Sequence, residues 1–301
     1  VTIDPKKLLA LQIPSRVQTY GWRETALYAL GLGFGLDPTD ERQLRFVDET
    51  RLTAFPTMAN VLAHPGFWMR ELDTGIDWIR VVHGEQRMQL HRPLPVEGTV
   101  IGRTRVIEVI DKGTGTGALV TAERVISDAE SGEHYATLLQ TSMCRGDGGF
   151  DSKAPAARSA AAPSSTQRPP DHSIDMPTHA QLALIYRLSG DFNPLHFDPA
   201  IARRAGYPRP IYHGLGTFGI AAHALLATLC NYEVDRLQTL HGRFSAPVFP
   251  GDVVTIDIWN ESERLAVFDA RIKARNALVI VNGVFTHGVP SLLCAGPELN
   301  T

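Results

Sequence analysis

The sequence predicts an α+β chain built as two similar halves, and three observations carry this. The stretch "GDGGFDSKAPAARSAAAPSSTQRPPDHS", residues 146–173, is dominated by Gly, Ala, Ser and Pro. It interrupts the apolar periodicity as an exposed linker does. On each side of it, a short helical pattern is followed by runs of alternating β-branched residues. One strongly apolar helix, residues 215–229, precedes the last of these runs. A helix apolar around most of its circumference has to be enclosed, here by a curved antiparallel sheet.

The elements follow in order. "GWRETALYALGLGFG" has apolar residues at helical spacing and ends in glycines, the composition of a helix stop. "MPTHAQLALIYRLSGDF" repeats that pattern in the second half, with Thr178 as the expected cap. Setting "ALYALG" on "LIYRLS" pairs Tyr28 with Tyr186. Both halves then pass through similar stretches, "QLHRPLPVEGTVIGRTRVIEVID" and "TLHGRFSAPVFPGDVVTIDIW". Each has a basic residue, a proline, a turn glycine and then alternating β-branched residues. "ALVTAERVIS" and "HYATLLQTSMC" add strands to the first half, "AVFDARIKAR" and "ALVIVNGVFTHG" to the second. "GTGTG" at 113–117 reads as a hairpin turn. The repeated order points to a duplication. The expected boundaries are a first domain over 1–148, a linker over 149–172 and a second domain over 173–301.

Composition narrows the function. With 44% hydrophobic and 20% charged residues, the chain has the make-up of a soluble globular protein. A net charge of −3 predicts no general attraction to nucleic acid or to an anionic membrane. No apolar run approaches the roughly 20 residues that span a bilayer. The opening "VTIDPKKLLALQIPSRV" does not read as a secretory signal, and "PELNT" carries no obvious address. A cytoplasmic location is expected if the source is bacterial. Cys144, Cys230 and Cys294 are odd in number and far apart, which fits a reducing compartment. C-x-x-C, H-E-x-x-H, P-loop and G-x-S-x-G patterns are all missing, so neither zinc, a P-loop nucleotide nor a serine nucleophile is expected.

The stretch with most chemistry is "YRLSGDFNPLHFDPAIARRAG", residues 186–206. Taken singly, Asp191 and Asn193 are good turn formers. Asp198 has a structural role: it stands before Pro199 as an N-cap, with Gly206 at the helix stop. Taken together, Asp191 and His196 form an acid/base pair able to work near neutral pH. Asn193 adds a donor and an acceptor to orient a water. Downstream, "IYHGLGTFG" enters the apolar helix at Gly214, and free N–H groups at a helix start stabilise a developing oxyanion. The set suits addition of water beside a carbonyl. "GLGTFG", 214–219, also matches a dinucleotide fingerprint with Glu233 downstream. That reading is disfavoured because "AGYPRPIYH" is a poor strand to precede it.

At these residues the sequence resembles the MaoC-like, (R)-specific type-2 enoyl-CoA hydratases. "YRLSGDFNPLHFDPAIARRAG" follows their motif Y-x-x-x-S-G-D-x-N-P-x-H, and "HGLGTFGIA" and "HGRFSAPVFPGD" match their next segments. "YGWRETALYALGLG", "LRFVDE" and "FPTMANVLA" resemble the non-catalytic half of the hydratase unit of peroxisomal multifunctional enzyme type 2. The resemblance implies a double hot-dog fold: two units, each an antiparallel sheet around a central helix, the first with that helix shortened or irregular. It implies reversible syn addition of water to trans-2-enoyl-CoA, giving (3R)-3-hydroxyacyl-CoA. Asp191 and His196 would be the catalytic pair, Asn193 would hold the water and the Gly214 amide the thioester oxygen. Phe55, Pro56, Met58, Phe67, Trp68 and Met69 would line the acyl chain, and Arg243 would meet a CoA phosphate. No metal or redox cofactor is implied, CoA entering as part of the substrate. A monomer or a homodimer is left open. A hot-dog acyl-CoA thioesterase and a non-catalytic acyl-CoA-binding subunit are the alternatives.

Overall fold

Ten strands form among the described residues, most of them the alternating β-branched runs of the sequence. In the first half these are β1 (Arg16–Tyr20), β2 (Val81–Leu90), β3 (Gly98–Asp111), β4 (Ala118–Asp128) and β5 (His134–Cys144). In the second they are β6 (His172–Pro177), β7 (Leu237–Phe244), β8 (Val253–Ser262), β9 (Leu265–Ile272) and β10 (Ala277–His287). This computed structural model describes residues 3–151 and 168–288. All ten strands join one sheet in the order β1-β3-β4-β5-β2-β7-β10-β9-β8-β6. The order reads the same from both ends once each first-half strand is exchanged for its counterpart, as a duplicated unit paired about a pseudo-twofold requires. The seam is antiparallel β2–β7, running from Glu85 opposite Arg243 to Gln89 opposite Thr239.

Seven helices accompany the sheet among the described residues: α1 (Pro5–Leu9), α2 (Trp22–Leu30), α3 (Glu41–Leu44), α4 (Trp68–Glu71), α5 (Leu182–Tyr186), α6 (Pro199–Arg204) and α7 (Gly214–Cys230). α7 is the apolar helix of the sequence. It buries Phe218, Ile220, Leu225 and Leu226 against β6–β10 and ends at Asn231, whose φ of 48° is a left-handed stop that Asn tolerates. Each buried Leu, Ile or Phe contributes about 1.5–3 kcal/mol of transfer free energy. The first half has no such helix. Pro56, whose ring presets φ, opens a 3-10 turn over Pro56–Asn60, and α4 is a single turn.

The two halves also meet through α2 and α5. Tyr28 and Tyr186, paired by sequence, have ring centroids 5.7 Å apart. Gly31 allows the approach, since a Cβ there would stand 3.1 Å from the Tyr186 Cα. The Tyr212 hydroxyl donates to the Gly31 carbonyl at 2.6 Å, linking the halves inside the core.

Two expectations need amending. Thr178 does not cap α5, whose N-cap residue is Gln181. Its hydroxyl donates to the Asp252 carbonyl and accepts from the Gly251 N–H, so it secures the turn before β8. The flanks of the compositional linker are packed. The Asp111 carboxylate accepts from the Gly149 and Asp151 N–H groups, and the Arg168 carbonyl accepts from the Trp259 indole. Residues 152–167 of the linker lie outside the described residues, as does Cys294. In keeping with the sequence reading, "GLGTFG" is the first turn and a half of α7, entered from a loop and not from a strand, so the dinucleotide fingerprint is void. Cys144 and Cys230 are free and buried. No helix among the described residues is long and apolar enough to cross a membrane.

Candidate active site

The stretch that carries the candidate residues begins where α5 stops. A 3-10 turn over Arg187–Ser189 ends at Gly190, whose φ of 118° is open to glycine and strained for other residues. Asp191 Oδ1 then accepts from the Asn193 N–H at 3.2 Å, and Asn193 Oδ1 accepts from the Leu195 N–H at 3.1 Å. These two Asx turns, with Pro194 stiffening the second, throw His196 inward. Asp198 caps α6 by accepting from the Ala200 and Ile201 N–H groups, and Gly206 follows with φ 87°. The sequence reading of both residues holds.

His196 is buried, and its Nδ1 lies 2.9 Å from the Ile211 carbonyl. A carbonyl only accepts, so Nδ1 carries the proton and Nε2 presents a lone pair. That Nε2 lies 3.9 Å from Asp191 Oδ2, too far for a direct hydrogen bond. His213, the residue before α7, stacks on His196 with centroids 3.7 Å apart and planes at 25°. Its Nε2 donates to the Asp191 backbone carbonyl at 3.2 Å. Burial lowers the pKa of His196, the field of Asp191 opposing. Burial, and then the neighbouring His196, lower that of His213 to about 3. Both imidazoles are therefore neutral at neutral pH. Gly214 is the first residue of α7, where N–H groups lack helical partners and the helix dipole is positive. The Phe244 ring lies 3.6 Å from where a Gly214 Cβ would stand, and the His83 ring of the first half meets Phe244 edge-on at 4.8 Å.

Asp191, His196 and His213 also form a group of potential metal ligands within 4.8 Å of one another. One nitrogen of each ring is already committed to a backbone carbonyl, Nδ1 of His196 to Ile211 and Nε2 of His213 to Asp191. The arrangement suits proton transfer better than coordination.

The structure thus gathers Asp191, His196 and Gly214. Asn193 stays exposed, its oxygen committed to the turn, so that its amide N–H groups are what it has to offer. The apolar candidates divide. Phe55 and Met58 enter the main core with Phe34, Phe46 and α7, and Pro56 is buried beside them. Trp68 and Met69 belong to a second cluster with Ile3, Leu8 and Val106, and Phe67 lies at the surface against Trp78. Arg243 is exposed on β7, across from Glu85. His213 was not anticipated, although its place one residue before the helix start was a signal. His83 and His64 carried none: they sit in an ordinary strand and loop, and only folding brings them within the field of Asp191.

A sheet doubled about β2–β7 and wrapped around a central helix in its second unit, with an Asp/His pair before that helix, defines a hot-dog hydratase-type protein. The comparisons agree. Residues 161–288 match the MaoC like domain and residues 18–146 the MFE-2 hydratase 2 N-terminal domain, and the chain belongs to this two-domain MaoC-like family. A 3-hydroxyacyl-thioester dehydratase Y of Mycobacterium tuberculosis is 38% identical over 90% of this chain and 92% of its own. A peroxisomal enoyl-CoA hydratase 2 of Arabidopsis thaliana is 33% identical over 95% and 96%. Among solved structures, a MaoC-like dehydratase of Phytophthora capsici superposes with a TM-score of 0.80 at 30% identity, covering 94% of this chain and 98% of that one. A Mycobacterium tuberculosis protein described as a double hot-dog, 15% identical with a TM-score of 0.54 over 95% and 96%, shares the fold. The fold is the double hot-dog.

Proposed function

We propose that the chain is an (R)-specific enoyl-CoA hydratase, adding water reversibly to trans-2-enoyl-CoA to give (3R)-3-hydroxyacyl-CoA. The relatives named as enoyl-CoA hydratase and 3-hydroxyacyl-thioester dehydratase support a hydro-lyase of acyl thioesters. The observation that carries the mechanism is the unprotonated His196 Nε2 facing Asp191 Oδ2 at 3.9 Å, its tautomer held by Ile211. Both groups accept, so a water between them donates one O–H to each, and the Asn193 amide steadies its oxygen. The water oxygen attacks C3 as one of the pair takes its proton. The C2=C3 electron pair moves toward the thioester oxygen, where the Gly214 N–H at the positive end of α7 stabilises the growing charge. The pair then returns a proton to C2 on the same face. Atoms balance with no metal or redox cofactor, CoA being part of the substrate.

Crotonyl-CoA and a long-chain trans-2-enoyl-CoA test this through loss of the conjugated enoyl absorbance. A stereospecific 3-hydroxyacyl-CoA dehydrogenase reads the product's hand, and a thiol reagent reads free CoA. The expected result is an (R) product with no thiol. An (S) product overturns the stereochemistry, and release of CoA would make the protein a thioesterase.

A further inference from the structure

The first half has a buried polar layer that its symmetry mate lacks. On the inner face of β3, β4 and β2 stand Thr104, Arg124 and Gln86, with Asn60 of the 3-10 turn above them. In the second half the matching inner residues of β8 and β9 are Ile256, Ile258, Phe268 and Ala270, all buried under α7. Arg124 is 7% exposed. Its Nη2 donates to the Asn60 carbonyl at 2.5 Å, Gln86 Nε2 donates to Asn60 Oδ1 at 2.9 Å, and Asn60 Nδ2 donates to the Thr57 carbonyl at 3.0 Å. Arg124 Nη1 and the Thr104 hydroxyl, directly across from each other on β4 and β3, have no protein partner among the described residues. Burial alone lowers the Arg124 pKa, to about 9. An enclosed guanidinium without a counter-charge is costly, and a ligand anion relieves that cost.

The layer communicates with the candidate active site. Gln86 interacts electrostatically with His83, whose ring packs on the Phe244 that covers Gly214. His64 lies within the fields of both Arg124 and Asp191. Arg124 is two strands from β2, about 10 Å at ordinary strand spacing, on the side of the seam where the irregular 54–63 segment replaces a central helix.

We propose that Arg124 Nη1 and the Thr104 hydroxyl, seated on Asn60 and Gln86, form a subsite for a carboxylate at the far end of the acyl chain, so that the preferred substrates are ω-carboxy enoyl-CoA thioesters. This rests on the hydratase reading above. A plain alkyl tail leaves both donors unpaired, whereas a carboxylate accepts from both. The Nη2–Asn60 bond is a structural staple of the 3-10 turn, and the unused Nη1 is what a staple alone does not explain.

The test compares kcat/KM for ω-carboxy and plain trans-2-enoyl-CoA substrates over a series of chain lengths, with crotonyl-CoA as a substrate too short to reach. Arg124→Met should cost the carboxy substrate about tenfold or more, the size of a lost charge-assisted hydrogen bond, and leave crotonyl-CoA within about twofold. Thr104→Val, which keeps the β-branched shape, should cost the carboxy substrate a few-fold and serves if Arg124→Met does not fold. Calorimetric binding of saturated ω-carboxyacyl-CoA against acyl-CoA reads the subsite without turnover. If no enoyl-CoA is hydrated but the carboxy ligand binds more tightly to wild type than to the variants, the hydratase reading fails and the subsite stands. Equal use and equal binding of the two tails at every length overturns the proposal, as does an equal loss for all substrates with a lower Tm, which would make Arg124 a staple only.

Discussion

Asp191 is 46% exposed at its side chain and supports little packing, whereas His196 is enclosed. Asp191→Asn should therefore fold with an unchanged Tm and lose enoyl-CoA hydration by roughly 10³-fold, within the usual range for an acid/base group. Retained turnover would remove Asp191 from the mechanism. His213 covers one face of His196 and keeps water from it. The depressed His196 pKa places the acid limb of the activity profile below the ordinary histidine value of 6.5. His213→Ala opens that face and lessens the desolvation, so the His196 pKa should rise and the acid limb should move to higher pH. A pH profile of kcat/KM on wild type and variant decides this, and an unmoved limb refutes the role given to His213.

The N-terminal turn of α7 contains two glycines with different reasons to be glycine. A Cβ at Gly216 would collide with the buried Tyr212 ring, which is held by its bond to Gly31. A Cβ at Gly214 would meet Phe244 at 3.6 Å, ordinary contact. Gly216→Ala should cost about 1–3 kcal/mol by overpacking. Gly214→Ala should leave the urea midpoint unchanged. Equal midpoints for the two variants would show that Tyr212 yields. The central-helix position of the first half is occupied by the Pro56–Asn60 turn and α4. That loss of regular backbone brings Asn60, Arg124 and Gln86 into one buried layer.

At the scale of the whole molecule, several histidines are buried neutral. Burial lowers the pKa of His83 to about 4 and those of His213 and His223 to about 3. Between those values and the unfolded value of about 6.5, the unfolded chain binds more protons than the folded one, so stability rises with pH through this window. It is complete above the unfolded value and lost as the pH falls. His213 and His223, at 1% and 2% exposure, should together cost on the order of 2–4 kcal/mol between pH 6.5 and 5. Urea titrations at pH 7.5 and pH 5 measure this, and equal midpoints would show that these rings are hydrated in solution.

The sequence by itself determined what short-range physics encodes. Alternation and apolar spacing set β3–β5, β7–β10 and α7, whereas β1, β6 and most of β2 were not legible; the Asp198–Pro199–Gly206 signals bounded α6, and the Asx turns around Pro194 were legible as turns. The similarity of the halves made Tyr28 and Tyr186 equivalent positions, and only the fold brought their rings into contact. Tertiary structure alone decided which residues converge. Thr178 reads as a cap, yet a turn 70-odd residues away takes its hydroxyl. Trp68 and Phe55 read as one lining, yet they fall in separate clusters. Arg124 drew no notice in the sequence, because alternation fixes which face a residue occupies and not what covers that face. His83 is brought within the field of Asp191 by pairing β2 to β7, a contact between residues so distant in sequence that no local pattern announces it.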